Sequence, residues 1–338
     1  MESSETTAAS AEGIHVPERV IPAPKSISAE AQAALNSVRP TPPPYPETDD
    51  KPAWRDFVRQ FNANLVETIR EQVMSIPGRV AQETIAGVPV YVAEPESIPS
   101  GNRDKAMVFF HGGGLVMGGG EAVGLFARLE AFKTRCRVYA VDFGNPPDHP
   151  YPGALNDGVA VYSELLKDYA PSQIVISGAS GGGNLAAAVP LKARDLGAPL
   201  PGAIGLFTPQ ADLTESGDSF QTNEKIDVNG VSLAAFNALY ANGHDLTDPY
   251  VSPLFGDFAK GFPPVFIQTG TRDMFLSNAV RLHRAMRSAG VDAELHVGEA
   301  MPHGGFGGGL HDLPEDHDLR IEFLRFLSKH VGWDKSQG

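Results

Sequence analysis

The stretch IVISGASGGGNL, residues 174–185, decides how the rest of the chain is interpreted. A β-branched apolar run enters a Gly-x-Ser-x-Gly turn, and an alanine-rich helical pattern follows it. This order is typical of a nucleophile elbow, a sharp strand-to-helix turn that exposes one serine hydroxyl above a sheet. The turn needs glycine-sized residues two positions before and after the serine, where Gly178 and Gly182 lie. The motif makes Ser180 a candidate covalent nucleophile, and the alternative is a glycine-rich loop that only leads into a helix.

Strand-like and helix-like segments alternate through most of the chain after residue 80. Strands are predicted at 88–94, 106–111, 137–143, 173–179, 203–208, 264–269 and 293–298, and helices at 121–135, 153–169, 182–196, 276–289 and 315–331. This alternation indicates an α/β protein with a mainly parallel sheet that helices cover on both faces. The long segment 209–262, with a helix-like piece near 231–241, interrupts the pattern. Because long loops in compact domains are usually functional, we interpret it as a lid.

The N-terminal region differs in composition from the rest of the chain. Residues 1 to about 48 are rich in Ala, Ser, Glu and Pro. The first dozen are predicted to be disordered, and the proline-rich run 41–46 to be an extended connector. Trp54, Phe57 and Phe61 then recur at helical spacing with other apolar residues, which predicts an amphipathic helix over 52–74. Its aromatic stripe either lines a substrate cleft or packs on the body of the protein.

Composition and charge exclude several classes of function. The 338 residues carry a formal net charge of −14, which argues against nucleic acid or an anionic membrane as a partner. The single cysteine, Cys136, excludes an intramolecular disulfide and a zinc site built on several thiolates. No apolar run is long enough for a membrane span, and the first residues lack the pattern of a signal peptide. We therefore expect a cytoplasmic protein.

The run His111-Gly112-Gly113-Gly114 follows an apolar strand and supplies candidate oxyanion donors. Glycine lets backbone N–H groups approach a substrate carbonyl without an intervening Cβ. Lipases and esterases with a nucleophile elbow place their oxyanion loop here and add the N–H after the nucleophile. Gly112, Gly113 and Gly181 are the candidates. A nucleotide phosphate loop is the weaker alternative, because no G-x-x-x-x-G-K-[ST] is present and no G-x-G-x-x-G opens a helix after the first strand.

A serine nucleophile also needs a base and an acid that orients the base. His303 follows the last predicted strand within a glycine-rich turn, where an α/β-hydrolase carries its base. Asp273 lies at the carboxyl end of the preceding predicted strand, so the chain order is Ser180, Asp273, His303. The alternative role for Asp273 is the N-cap of the helix at 276–289, which Ser277 could fill instead.

These residues together resemble the hormone-sensitive-lipase-like branch of the α/β-hydrolases over roughly residues 80–330. The matching segments are HGGG at 111–114, GASGGGNL at 178–185, Asp273, PHG at 302–304 and the region from Asp142 to Pro152; PQADLT at 209–214 and GDS at 217–219 are similar to acetyl or monoterpene ε-lactone hydrolases. The resemblance implies an α/β-hydrolase fold, with a mostly parallel eight-stranded sheet and a helical cap. The implied division is a flexible N-terminal segment 1–48 and a cap helix region 49–78, both part of the cap, and a catalytic domain 79–335 with a cap insertion at about 209–262.

The resemblance further implies a serine carboxylesterase for short- to medium-chain carboxylic esters that works through an acyl-enzyme intermediate. A lactone hydrolase with the same triad is the alternative, and a non-catalytic ligand-binding member of the fold is a third. The residues proposed to line the substrate pocket are Trp54, Phe57, Phe61, Leu115, Met117 and Phe207. A small-molecule ester is the expected partner, no metal or organic cofactor is implied, and a homodimer is left open.

The chain departs from the family pattern around the nucleophile. The family usually has Asp before and Ala after the serine, where this chain has Ala179 and Gly181. It usually has Tyr-Arg after Asp142, where this chain has Phe143 and Gly144. Because an aspartate and an arginine are both missing, we hypothesise that the two support one another in other members. Losing both avoids an unpaired buried charge.

Overall fold

The computed structural model describes residues 13, 14, 16–37, 44–228 and 231–334. The first dozen residues, for which disorder is predicted, lie outside the described residues, as do residues 41–43 of the predicted connector. Within the described ranges, no helix combines the length and the apolar character that crossing a membrane requires.

The described part of the chain builds one sheet from eight strands: β1 Gly78–Ile85, β2 Val88–Pro95, β3 Ala106–Phe110, β4 Arg137–Val141, β5 Ile174–Ala179, β6 Ala203–Phe207, β7 Val265–Gly270 and β8 Ala293–Gly298. Their order in the sheet is β1-β2-β4-β3-β5-β6-β7-β8. Strand β2 runs antiparallel to both of its neighbours, and the remaining pairs are parallel. This arrangement confirms the predicted fold class.

Helices cover both faces of the sheet. They are α1 Ala29–Asn36, α2 Lys51–Met74, α3 Glu121–Thr134, α4 Gly153–Leu165, α5 Gly181–Asp195, α6 Ser219–Thr222, α7 Ala234–Ala241, α8 Leu276–Ser288 and α9 Pro314–Val331. Alternate residues of β3 enter opposite cores: Val108 and Phe110 pack with α4, α5 and α8, whereas Met107 and Phe109 pack with α3 and α9. A strand buried on both faces reads as a continuous apolar run, which is why the sequence predicts it well.

Strand β1 is the strand of this sheet that sequence patterning does not locate. It pairs antiparallel with β2 from Gly78↔Pro95 to Ile85↔Val88 at the edge of the sheet. Most of its residues are exposed on both faces, and it carries Arg79, Gln82 and Glu83. An edge strand that buries little apolar surface lacks an alternating pattern, and its charged residues discourage pairing with other chains.

Helix α2 lies over the carboxyl edge of the sheet and is fastened to the body by its polar side chains. Arg55 pairs with Asp148, and Asn62 Oδ1 accepts a hydrogen bond from Gly118 N at 2.8 Å. Its aromatic residue Trp54 joins a cluster with Val116, Met117 and residues of α7, such as Phe236. The helix-like piece predicted near 231–241 corresponds to α7, while the division into cap and catalytic domain stays a prediction.

Candidate active site

The turn between β5 and α5 holds Ser180 in a strained backbone conformation. Its φ of 56° and ψ of −120° lie in a region that a residue with a Cβ rarely adopts. A Cβ on Gly178 would lie 2.1 Å from the carbonyl oxygen of Gly182, and one on Gly182 would lie 2.0 Å from that of Phe110. Both positions therefore exclude any larger residue, and this exclusion is the physical content of the Gly-x-Ser-x-Gly motif.

The glycine loop lies beside Ser180 because β3 and β5 are neighbours in the sheet. Phe110, at the end of β3, is in register with Gly178, two residues before the nucleophile. A Cβ built on Gly112 would lie only 3.5 Å from Ser180 Cβ. Among the described residues, the N–H groups of Gly112 and Gly113 have no hydrogen-bond acceptor. Both remain available to a substrate oxygen.

The structure gives physical reasons for two of the departures from the family pattern. A Cβ on Gly181 would lie 2.5 Å from Leu115 N, so the oxyanion loop approaches too closely for an alanine here. Leu115 itself adopts a φ of 65°, which is uncommon for a leucine. A Cβ on Gly144 would lie 2.8 Å from His149 Cβ, so an arginine side chain has no room at this position.

The loop after β7 presents Asp273 to the loop after β8, which carries His303. Asp273 is fully buried, and its Oδ1 lies 3.0 Å from His303 Nδ1. The same carboxylate accepts hydrogen bonds from Thr269 Oγ1 at 2.7 Å and from the N–H of Phe275 at 2.8 Å. The Ser277 hydroxyl does not cap α8; it accepts a hydrogen bond from Ser219 N instead. Asp273 is thus fixed by the start of α8 and still faces the histidine.

His303 combines burial with contact to negative charge. Burial lowers the pKa of its imidazole, but the charge and hydrogen bond of Asp273 and the charge of Asp227 outweigh burial and raise the pKa overall. Because the carboxylate can only accept, Nδ1 carries the proton of the neutral ring. That leaves the lone pair of Nε2 for a proton-transfer partner. Phe275 packs against the ring edge to face, with centroids 4.8 Å apart.

Asp227 is a second carboxylate at this site, and sequence reasoning missed it. It lies between α6 and α7 within the segment interpreted as a lid, and it is 3% exposed. Its Oδ1 accepts a hydrogen bond from the backbone N–H of His303 at 2.9 Å. No sequence motif surrounds Asp227. It also lies 76 residues before His303, so its contact with that residue is not visible in the sequence.

One cavity of about 770 Å³ contains both Ser180 and His303 in its wall, together with Gly112 and Gly113. Four of the six pocket residues proposed from the sequence line it: Phe57, Phe61, Met117 and Phe207. Trp54 and Leu115 do not, because both are buried behind the wall. Trp54 donates its indole N–H to the carbonyl of Glu47 and packs against neighbouring aromatic rings.

The ligand atoms of Asp227, Asp273 and His303 lie within 4.8 Å of one another, a spacing that would suit a metal ion. The donor set does not fit one. Both oxygens of Asp273 accept hydrogen bonds from protein donors, and so do both oxygens of Asp227. A cation would have to displace these donors, so the cluster fits proton transfer better than metal binding.

Comparisons with known proteins identify the family. Residues 107–306 match a family model described as the alpha/beta hydrolase fold. An acetyl-hydrolase of Streptomyces hygroscopicus is 31% identical over 196 residues, covering 57% of this chain and 65% of that protein. The carboxylesterase NlhH of Mycobacterium tuberculosis is 32% identical over 244 residues, covering 67% of this chain and 73% of that protein. The chain spans less than two thirds of the Streptomyces protein and of an Acinetobacter venetianus esterase.

Solved structures extend the similarity over nearly the whole chain. The esterase E25 superposes with a TM-score of 0.87 and 37% identity, covering 94% of this chain and 99% of that one. An esterase from the bacterial hormone-sensitive lipase family superposes with a TM-score of 0.73 and 28% identity, covering 91% and 100%. Relatives named esterase, carboxylesterase and carboxylic ester hydrolase support the predicted enzyme class. The resemblance drawn from the sequence is confirmed, and the chain belongs to the α/β-hydrolase family, in its hormone-sensitive-lipase-like branch.

Proposed function

We propose that the protein is a serine carboxylesterase that hydrolyses short- to medium-chain carboxylic esters through an acyl-enzyme intermediate. The observation that carries the proposal is the 3.0 Å contact between His303 Nδ1 and Asp273 Oδ1, in a cavity whose wall also contains Ser180. A nucleophile, a base and an orienting acid are the three side chains that serine-dependent acyl transfer requires.

In the first half of the reaction, His303 Nε2 takes the proton of Ser180 Oγ while Oγ bonds to the ester carbonyl carbon. The electron pair of the carbonyl bond moves onto its oxygen. That oxyanion is met by the N–H groups of Gly112 and Gly113 and by the N–H of Gly181, which begins α5 and has no partner within its helix. Each such donor is worth on the order of 10²–10³ in turnover.

In the second half, the tetrahedral intermediate expels the alcohol, which leaves with the proton held by His303. Water then attacks the acyl group on Ser180 and gives a proton to the same nitrogen. Collapse of the second intermediate returns that proton to Ser180 Oγ and releases the carboxylic acid. Since His303 must be neutral to act as the base, activity falls as the pH drops through its raised pKa.

The cavity supports an ester of modest size as the substrate. Its volume of about 770 Å³ falls within the range of small-molecule sites. Aromatic rings from α2 and α7, such as Phe57 and Phe236, form one wall, and Phe109, Phe207 and Phe323 form another. Apolar walls of this kind suit an acyl chain or an uncharged alcohol group, because neither loses hydrogen bonds to water on entry.

Replacement of the nucleophile tests the reaction type. We expect S180A to lower kcat on p-nitrophenyl acetate by on the order of 10⁴-fold or more, and to abolish labelling by a fluorophosphonate probe. S177A is the matched control: Ser177 lies in β5, which leads into the nucleophile turn, and its hydroxyl is fully buried and has no partner among the described residues. It should retain kcat. Substantial turnover by folded S180A would contradict the proposal.

A substrate panel separates the proposed esterase from a lactone hydrolase that uses the same residues. We expect p-nitrophenyl acetate to hexanoate to be turned over with higher kcat/KM than ε-caprolactone. The opposite order would favour the lactone hydrolase. A protein that binds these esters but neither hydrolyses them nor reacts with the fluorophosphonate would be a ligand-binding member of the fold.

The cytoplasmic location and the homodimer stay predictions.

A further inference from the structure

The carboxylate of Asp227 makes contacts that reach both catalytic loops. Its Oδ1 accepts hydrogen bonds from the N–H of His303, at 2.9 Å, and from that of Val228. Its Oδ2 accepts a hydrogen bond from the N–H of Met274 at 2.7 Å. Met274 directly follows the proposed acid, so one side chain is bonded to the base residue and to the neighbour of the acid.

A second residue of the same turn strengthens this connection. Asn223 Nδ2 donates to the carbonyl of Asp273 at 2.9 Å and to that of Thr271 at 3.2 Å. The N–H of Asp227 in turn donates to the carbonyl of Asn223 at 3.1 Å. The turn from 223 to 227 therefore binds the acid loop through donors and acceptors alike, while Asp227 alone extends to the base.

The hydrogen bonds favour the ionised form of Asp227. Both of its oxygens accept hydrogen bonds from backbone N–H groups, and such bonds stabilise a charged carboxylate more than a neutral carboxyl. Burial and the charge of Asp273 raise the pKa of this carboxyl above its ordinary value, and the charge of His303 and the backbone hydrogen bonds offset that rise only in part. A buried carboxylate close to the imidazole, but not hydrogen-bonded to its ring, can act on the base through charge.

We propose that Asp227 is a positioning residue of the proposed serine hydrolase, which holds the His303 loop against the Asp273 loop and stabilises the imidazolium formed during acyl transfer. The inference rests on the proposed function, because the imidazolium forms only if His303 takes the proton of Ser180. Asp273 orients the ring through Nδ1, and Asp227 fixes the backbone that carries the ring and adds a second negative charge. The charge favours the protonated ring of the transition state, and the backbone hydrogen bond keeps that ring in position.

A variant that keeps the shape of Asp227 but removes its charge distinguishes an electrostatic effect on His303 from structural support of the loop. We expect D227N to lower kcat/KM by about 10- to 100-fold and to move the acidic limb of its pH profile to lower pH by about one unit. The limb moves because His303 loses one of the two carboxylates that raise its pKa; among the described residues, Asp273 is the other. D227E, which keeps the charge, should retain the limb of the wild type.

Asp316 of α9 provides a matched control on the same loop. Its carboxylate accepts hydrogen bonds from the N–H groups of Phe306, at 3.1 Å, and Gly307, at 2.8 Å. It thus resembles Asp227 in anchoring the backbone around His303, but its charge is not among those that shift the pKa of the histidine. D316N should lower the melting temperature without moving the acidic limb.

The outcomes separate failure of this inference from failure of the proposed function. If the wild type neither turns over esters nor labels with a fluorophosphonate, the proposed function is wrong. If the wild type is active and folded D227N keeps its acidic limb, the charge of Asp227 does not act on His303 and the inference is overturned. An equal movement in D316N would overturn it as well. If D227N does not fold, D227S provides the same comparison, because serine also removes the charge and its smaller side chain leaves space for a water molecule beside the N–H groups of His303 and Met274.

Discussion

Two histidines, one beside the nucleophile and one that is the proposed base, show how differently the two halves of the site are built. His111 begins the oxyanion loop, and His303 follows β8. Both are largely buried, yet burial lowers the pKa of His111, whereas the carboxylates near His303 raise its pKa. His111 donates from Nδ1 to the carbonyl of Gly112 at 2.8 Å and stacks on Phe143, with ring centroids 4.2 Å apart. Its Nε2 has no partner among the described residues.

The difference follows from what each side must do. The nucleophile side must fix backbone N–H groups, so it is built from glycines that allow two loops to approach within van der Waals contact, and it keeps its histidine neutral. The base side must accept and release a proton, so it surrounds its histidine with buried carboxylates. We therefore expect steric changes to damage the first side and changes of charge to damage the second.

Removing the acid should have the largest effect on activity, because Asp273 contacts the base directly. We expect D273N to lower kcat on p-nitrophenyl acetate by on the order of 10⁴-fold, since an amide no longer fixes the tautomer of His303 or stabilises its protonated form. T269V removes only the hydroxyl that donates to Asp273 Oδ2 and should cause a much smaller loss. A folded D273N that retains kcat within tenfold would show that Asp273 is not the acid.

A single methyl group added at Gly181 should impair the oxyanion loop beside the nucleophile. In G181A the new Cβ would lie 2.5 Å from Leu115 N and must displace the oxyanion loop, so we expect kcat to fall by about 10²-fold. Because no charge changes, the acidic limb of the pH profile should stay in place. G153A is the control, since its Cβ would lie 3.6 Å from His149 Cβ, an ordinary contact. If G181A keeps the wild-type kcat, the oxyanion loop can move away from the added methyl group without loss of activity, and the prediction is wrong.

The smallest effects should be on the free energy of unfolding. The opposite pKa shifts of the two histidines predict that their contributions to it change in opposite directions with pH. His111 has a folded-state pKa below its ordinary value of 6.5, so the unfolded chain binds a proton there more tightly and stability falls as the pH drops below about 6.5. His303 has a raised folded-state pKa, so its contribution is fully present below about 6.5 and is lost as the pH rises through the raised value.

Melting temperatures of H111N and H303N between pH 5 and 9 test this contrast. Relative to the wild type, H111N should gain stability as the pH falls, by at most about 1.4 kcal/mol per pH unit, because one proton is involved. H303N should lose stability over the same range. Asparagine at 111 preserves a donor where Nδ1 lies, so the bond to Gly112 need not be lost. Parallel curves for the two variants would refute the assigned pKa directions.

The elements that sequence patterning predicts well are the ones that local constraints define. Buried parallel strands such as β3 carry uninterrupted apolar runs, and the seven predicted strands, antiparallel β2 and the six parallel ones, agree with the structure to within two residues at each end. The glycines of the elbow are equally local, since a Cβ on Gly178 would meet the carbonyl of Gly182 only four residues away. Strand order in this fold also predicts that Asp273 and His303 lie at the same edge of the sheet.

Tertiary structure decided the remaining features, because they depend on contacts between distant parts of the chain. Strand β1 is defined by pairing with β2 and not by burial, so its polar sequence carries no strand signal. Trp54 and Leu115 are predicted pocket residues, but each is buried behind the cavity wall in a different core cluster, and sequence spacing does not predict that packing. Asp227 reaches His303 across 76 residues of sequence. The fold class and the order of the candidate triad therefore follow from the sequence alone, whereas burial and long-range hydrogen bonds set which carboxylates surround the base.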